Sequence, residues 1–206
     1  MDPKRLVEAG YDRIAERYLA SKNLDAPATR AMLEEATRGL PPGAAVLDLG
    51  CGAGLPVTRW LAERFAATGV DLSARQVELA RRNVPDATFV KADMTAVDFP
   101  PGTFQAAVAF YSIIHVPRGQ QAALLARIRR WLKPGGAFLA NWAVGEWEGE
   151  ERDWLGWGAP MWWSHFDGDA NLALVRAAGF AVESAEARVD GNEKWLWVLA
   201  RKPAAG

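Results

Sequence analysis

The chain has 206 residues, 50% of them hydrophobic and 24% charged, with 24 Lys+Arg against 25 Asp+Glu for a formal net charge of −1. This composition suits an ordinary globular core and excludes collagen-like, disordered and disulfide-scaffold classes, while offering no bulk attraction to nucleic acid or an anionic membrane. Cys51, the single cysteine, excludes an intramolecular disulfide and a thiolate zinc site.

The opening Met-Asp-Pro-Lys-Arg-Leu-Val-Glu puts charges where a signal peptide needs apolar residues, and no apolar run has membrane-spanning length. A cytoplasmic protein without a membrane partner is the expectation. From Leu6 to Leu40 the text is helical: Val7, Tyr11, Ile14 and Tyr18 share one face of a helix, and a second helix carries Met32, Leu33, Ala36 and Leu40 on one face. The stretch Gly39-Leu-Pro-Pro-Gly stops that helix. Ala44 to Leu49 is a short apolar run, read as a buried strand.

A glycine-rich turn follows, with Pro56 where a first helical turn tolerates it and Val57, Trp60, Leu61 and Phe65 as an apolar stripe. A strand at Ala67–Val70 ends at Asp71, and Ser73 can cap a helix running through Val77, Leu79 and Ala80. Thr88–Val90 and Phe104–Phe110 read as strands, and Leu124, Leu125, Ile128, Trp131 and Leu132 as a helix. Lys133-Pro-Gly-Gly136 predicts a turn with positive φ at Gly135, launching a strand over Ala137–Trp142. Gly145 to His165 is long, Trp-rich and without a clear period, which predicts a functional loop. Phe180–Val189 and Glu193–Ala200 flank Asp190-Gly191, a hairpin signal. Strand–helix alternation predicts an α/β fold, a doubly wound, mostly parallel seven-stranded sheet with helices on both faces, closed by a C-terminal antiparallel hairpin.

The loop Asp48-Leu-Gly50-Cys-Gly52-Ala-Gly54 lets the backbone approach a ligand at a helix N-terminus, and Asp71 closes the second strand where α/β folds reach a ribose diol. It is not the dinucleotide fingerprint, because Leu55 stands where a third small residue belongs, and no Gly-Lys-Ser/Thr makes it a phosphate loop. A glycine loop preceded by an acid suits a nucleoside with a cationic or zwitterionic tail.

Val46-Leu-Asp-Leu-Gly-Cys-Gly-Ala-Gly54 resembles motif I of the class I S-adenosylmethionine-dependent methyltransferases. Gly69-Val-Asp-Leu-Ser73, Lys91-Ala-Asp-Met94 and Leu132-Lys-Pro-Gly-Gly136 resemble three further motifs in order, and Tyr11-Asp-Arg-Ile-Ala-Glu-Arg-Tyr18 is similar to the lid helix of the small-molecule, quinone-biosynthesis subgroup. The resemblance implies S-adenosyl-L-methionine as cofactor, S-adenosyl-L-homocysteine as product, and one domain over 1–206. Within it, 1–40 would be a helical lid and 143–166 a Trp-rich insertion near the substrate pocket. Gly50 and Gly52 would pack on the methionine portion, and Asp48 would order the loop or meet the amino group through water. Asp71 would hold the ribose, Leu72 and Met94 the adenine faces, and Asp93 the adenine amino group. Phe110 would face the sulfonium, with Tyr11 and Tyr18 as further aromatic candidates.

Both histidines are candidate bases. His115 follows the fourth strand, as a base or as a structural group bonded to backbone, and His165 ends the Trp-rich segment. Asp167 reads as a helix cap rather than a metal ligand, and no metal is expected. Tyr111, Trp142, Trp162 and Trp163 are candidate substrate contacts, the tryptophans serving either a pocket wall or a dimer face, so monomer and homodimer both stay open. The acceptor is expected to be a small molecule, apolar or aromatic, with no nucleic acid as partner. The rival functions are a nicotinamide-dependent oxidoreductase on a related sheet and a non-catalytic S-adenosylmethionine-binding protein.

Overall fold

The computed structural model describes residues 2–190 and 193–204. Two helices open the chain, α1 (Pro3–Ser21) and α2 (Pro27–Ala36). The two helices expected between Leu6 and Leu40 are thus both present, separated at 22–26, where Pro27 at the first position of α2 supplies no N–H to continue α1. Asp2 caps α1 through Lys4 N, and Pro3 fits its first turn.

The α/β part runs β1 (Ala45–Leu49), α3 (Val57–Ala62), β2 (Ala66–Asp71), α4 (Ala74–Asn83), β3 (Thr88–Lys91), β4 (Phe104–Ala109), α5 (Arg118–Trp131) and β5 (Leu132–Ala143). A two-stranded ribbon, β6 (Trp147–Glu151) and β7 (Met161–His165), precedes α6 (Gly168–Ala177), β8 (Ala181–Asp190) and β9 (Glu193–Arg201). Seven strands form one sheet in the order β3-β2-β1-β4-β5-β9-β8, parallel except for β9, which is antiparallel to both neighbours. The expected hairpin forms the sheet's edge; Gly191 of its predicted turn lies outside the described residues. Since strand crossovers are right-handed, reversal of the winding direction at β1 and β4 puts the helices of the two halves on opposite faces. It also opens a crevice at the strands' carboxyl ends.

Coverage on both faces explains the apolar strands. Leu47, Leu49, Val108, Phe138 and Leu139 are fully buried, each contributing about 1.5–3 kcal/mol by removal from water. Lys133–Gly136 does not separate a helix from a strand, as the sequence suggests. Phe104 pairs with Leu132 and Ala106 with Ala137, so these four residues bulge within β5, with Gly135 at the anticipated positive φ of 77°.

The Trp-rich segment is not an irregular loop. In the ribbon, Trp147 pairs with His165, Gly149 with Trp163 and Glu151 with Met161. Regular strand pairing there comes from contact with α1 rather than from an alternating pattern in the text. Trp154 meets Tyr11 and Tyr18 at 5.8 and 5.5 Å between ring centroids, Arg17 lies over Trp157 at 4.6 Å, and Arg13 donates to the Gly158 carbonyl. Among the described residues, no helix is long and apolar enough to cross a membrane.

Gly10 is where α1 touches the ribbon most closely: a Cβ there would lie 2.5 Å from the Pro160 carbonyl oxygen. Alanine is ordinarily the better helix former by about 1 kcal/mol. Gly10→Ala is nonetheless expected to lower Tm and to speed amide exchange over 147–165. An unchanged or raised Tm would show that the ribbon yields without cost.

Candidate active site

A cleft of about 770 Å³, counting its open mouth, lies at the carboxyl ends of β1, β2 and β4 and is covered by α1. Its floor is the glycine loop. Gly50 has φ 77°, and a Cβ there would stand 2.2 Å from Ser112 Cβ, so nothing larger than hydrogen fits. Ser112 closes the loop from the far side, its hydroxyl donating to the Leu49 carbonyl at 2.7 Å. Gly52 also has positive φ, 55°, and a Cβ there would be in ordinary contact with Gln76 Oε1 and Lys22 Nζ, each 3.8 Å away.

Asp71 organises that backbone. Gly52 N donates to its Oδ2 at 2.8 Å and Ser73 N to its Oδ1 at 2.9 Å. Burial pushes its carboxyl above the usual range, against these two donors and the field of Lys22. Each oxygen keeps a second lone pair for a ligand hydroxyl. Asp48 is buried behind the loop, accepts from Thr58 Oγ1 at 2.6 Å, and is pushed up to about 6 by burial. It stands outside the lining of the cleft and orders the loop through Thr58.

At the other end, Leu72 follows Asp71, and Met94 lies beside Asp93. Lys4 Nζ donates to Asp93 Oδ2 at 2.7 Å and to Thr95 Oγ1, and Thr95 N donates to Asp93 Oδ1 at 2.8 Å. Burial works against ionisation of Asp93, but these donors outweigh it and hold the carboxyl below its ordinary value. One expected acceptor of the adenine amino group is therefore already bonded to a lysine of α1.

The third wall combines α1 with the turn after β4. Tyr11, Tyr18, Phe110, Tyr111 and His115 all line it. Tyr111 adopts φ 53°, costly for an L-residue, and its N–H donates to Asn141 Oδ1 at 2.6 Å. His115 is buried with both ring nitrogens engaged: Nδ1 lies 2.7 Å from the Trp162 carbonyl and Nε2 3.0 Å from the Tyr11 hydroxyl. A carbonyl only accepts, so Nδ1 carries the proton and Nε2 accepts from Tyr11. Burial pushes the imidazole down to about 4 and the Tyr11 phenol well above its usual value. The His115 ring is thus bonded to backbone and also lines the cleft.

The tryptophans and His165 are not brought to this cleft. Trp142 is fully buried in β5 beside Phe138, and Trp162 reaches the site through its carbonyl alone. Trp163 packs on the far side of His115, with ring centroids 4.6 Å apart, and donates to Glu151. His165 is buried at the ribbon's end with Nδ1 2.7 Å from the Gly145 carbonyl, away from the cleft lining. Strand position is the reason: β5 holds Trp142 in the core, and β7 directs the Trp163 ring onto His115 from outside the cleft. Asp167 caps α6 through Ala170 N, and among the described residues no cluster of three or more His, Cys, Asp or Glu could hold a metal.

The structure adds Lys4, Glu8, Lys22, Gln76, Ser112 and Val116 to the lining. Lys4, Glu8, Tyr11 and Tyr18 fall at helical spacing on one face of α1, with Lys22 just past its end, and that periodicity was the available signal.

A methyltransferase-domain family model matches residues 46–136. A sterol 24-C-methyltransferase of Gibberella zeae is 30% identical over 181 residues, 78% of this chain and 46% of that protein. A 2-methyl-6-phytyl-1,4-hydroquinone methyltransferase of Synechocystis is 37% identical over 109 residues, 50% of this chain and 33% of that one. The chain thus spans a third to a half of these curated relatives. A solved S-adenosylmethionine-dependent methyltransferase from Mesorhizobium loti is 26% identical, with a TM-score of 0.68 over 87% of this chain and 98% of its own.

Asp48 gives a pH test. Its folded value of about 6 stands above the ordinary carboxylate value of 3.8, so it favours the native state when protonated. That contribution is complete below about pH 4 and lost as pH rises through 6, a change on the order of 2–3 kcal/mol. Against wild type, the Tm of ligand-free Asp48→Asn should gain progressively between pH 4 and 6; a constant Tm difference across that window would overturn the assignment.

Proposed function

The chain belongs to the class I S-adenosylmethionine-dependent methyltransferases, and from that premise we propose that it methylates a small-molecule acceptor at an O–H or N–H group. The observation that carries this reading is the Tyr11–His115 hydrogen bond of 3.0 Å beside the aromatic wall of the cleft.

The residues present fit the S-adenosyl group. Spare lone pairs on Asp71 and a buried Gln76 carbonyl oxygen without a partner are places for ligand atoms. Asp71 would hold the ribose hydroxyls, Leu72 and Met94 would cover the adenine, and Phe110 would face the sulfur. When bound, S-adenosylmethionine supplies a methyl group on a cationic sulfur for in-line displacement, leaving neutral S-adenosylhomocysteine.

This chain's residues then align the acceptor and remove its proton. Proximity and alignment can account for ~7–11 kcal/mol of barrier lowering. Because His115 Nδ1–H is committed to the Trp162 carbonyl, Nε2 is free to take the Tyr11 proton as the Tyr11 oxygen takes the acceptor's. With its pKa near 4, His115 is in the accepting form at neutral pH. Proton uptake by this dyad leaves the net charge of the cleft unchanged, since the positive charge on sulfur is lost in the same event. Phe110, Tyr111 and Val116 make the remaining surface there apolar and aromatic, which supports an apolar or aromatic acceptor. α1 acts as the lid, and the ribbon as its clasp.

Tyr11→Phe should lower kcat about 10²–10⁴-fold while leaving S-adenosylhomocysteine affinity within a few-fold of wild type, and the wild-type rate should stay flat from about pH 5 to 8. Full activity in Tyr11→Phe would remove the dyad from catalysis. Asp71→Ala should weaken S-adenosylhomocysteine binding about 10–100-fold, corresponding to ~1–3 kcal/mol; an unchanged Kd would refute the ribose contact. Methyl-labelled cofactor incubated with metabolite extract identifies the acceptor by mass.

A further inference from the structure

The sheet ends in two unlike edges. β3 is four residues long and ends at Lys91, a short edge of the kind that discourages pairing with another chain. β8 is ten residues long, contains neither proline nor lysine, and pairs with β9 alone among the described strands. Its one irregularity lies between Val182 and Ser184, so 184–190 run in regular register and present an open row of backbone donors and acceptors.

The two faces of that stretch differ, as the two-residue period of a strand allows. Ser184, Glu186 and Arg188 stand opposite Leu199, Trp197 and Trp195 of β9. Together with Glu183 they form one wall of a groove against Met32 and Glu35 of α2, about 780 Å³ counting its open side. On the other face Ala185, Ala187 and Val189 are exposed, Val189 to 73%. Within the chain Arg188 donates to Glu186 at 2.8 Å, and Glu183 pairs with Arg201.

A strand with the same alternation of faces would complete this edge, and a second copy of the chain carries one. A two-fold axis normal to the sheet lays β8 antiparallel on itself. Charged face then meets charged face only where a residue sits on the axis. With Glu186 or Arg188 on the axis, like charges stand directly opposite, which is destabilising. With Ala187 there, Glu186 of each copy faces Arg188 of the other, Ala185 faces Val189, and a small side chain meets itself at the centre. The same register brings each Arg188 to the other copy's groove, where Glu35, Glu183 and Glu186 outnumber a single arginine.

We propose that the chain forms a two-fold homodimer by pairing β8 with β8 of a second copy, Ala187 lying on the axis. The contact joins two seven-stranded sheets into one continuous sheet. The ribbon's tryptophans take no part in it. It is independent of the reaction assigned to the cleft.

Sedimentation velocity on the intact chain from about 5 to 500 μM tests it, a range suited to a contact one strand long. Wild type should pass from 22.5 kDa to twice that mass as concentration rises. It should stop there, because an isologous contact closes at two copies. Glu186→Arg and Arg188→Glu should each weaken dimerisation at least about 10-fold, since both cross-strand pairs become like-charged. The double variant restores opposite charges and should dimerise within about 3-fold of wild type. Mixing the two single variants should give a heterodimer, one copy carrying two cations along the strand and the other two carboxylates. Should either single variant melt early, Ala187→Lys crowds two ammonium groups at the axis and serves the same comparison. A wild type that stays monomeric or grows past two copies would overturn the proposal. So would a dimer indifferent to these substitutions, or a double variant that stays monomeric.

Discussion

The burial of two carboxyl groups at the ends of neighbouring strands is the constraint on which the rest depends. Asp48 on β1 is fully buried and Asp71 on β2 is half-buried at the cleft, and desolvation raises the pKa of each. The fold supplies partial compensation: a threonine hydroxyl for Asp48, two backbone N–H groups for Asp71, and the field of Lys22 for both. That leaves negative potential directed at the glycine loop. At an effective dielectric near 20, a positive charge arriving about 5 Å from one carboxylate gains about 3 kcal/mol. A cationic sulfonium with an ammonium tail is the kind of ligand for which this cleft is prepared, and a neutral nucleotide tail gains little from it. The same region fixes the loop's shape, since Gly52 N is anchored by an Asp71 oxygen.

Over this charged floor lies a helix attached by different means. Along the rim, α1 pairs Glu16 with Arg75 and Glu8 with Lys91, and Asp12 accepts from Ser73 and Arg75. Exposed pairs of this sort are worth ~0–1 kcal/mol each. The firmer hold comes from the ribbon, whose Met161 is fully buried and whose Trp154 meets Tyr11 and Tyr18. The tryptophans so conspicuous in the sequence thus act at one remove. They seat α1, and α1 carries the tyrosines, so pocket wall and clasp are separate layers.

How far the sequence could be read follows from which interactions are local. The sheet was legible because each strand and helix announces itself within a few residues: apolar Val46–Leu49, the Asp71–Ser73 strand end and cap, and the bulge glycine at 135. Gly50, Gly52, Asp71, Leu72, Asp93, Met94 and Phe110 were legible for the same reason, being tied to strand ends in a fixed order. His165, Trp142, Trp162 and Trp163 misled because aromatic density says that rings will be buried and not against what.

The antiparallel hairpin at the sheet edge also belongs to the site. β9 pairs with β5 so that Trp195 lies opposite Ala143 and Trp197 opposite Asn141. Trp197 packs on Phe110 at 5.0 Å, and Trp195 meets the edge of Tyr111 at 4.7 Å. Tyr111 occupies a left-handed backbone conformation that costs ~1–3 kcal/mol, and such a conformation persists only where its surroundings over-determine it. Here they do so from two directions: Asn141 of β5 holds the N–H, and the β9 tryptophans hold the ring. The turn after β4 is thereby fixed in both backbone and side chain. That turn sets the spacing between Phe110 and His115, hence the distance from the expected sulfur position to the Tyr11–His115 dyad. The C-terminal strand, remote in sequence from every motif of the cleft, is a determinant of the geometry in which a methyl group and a proton would move.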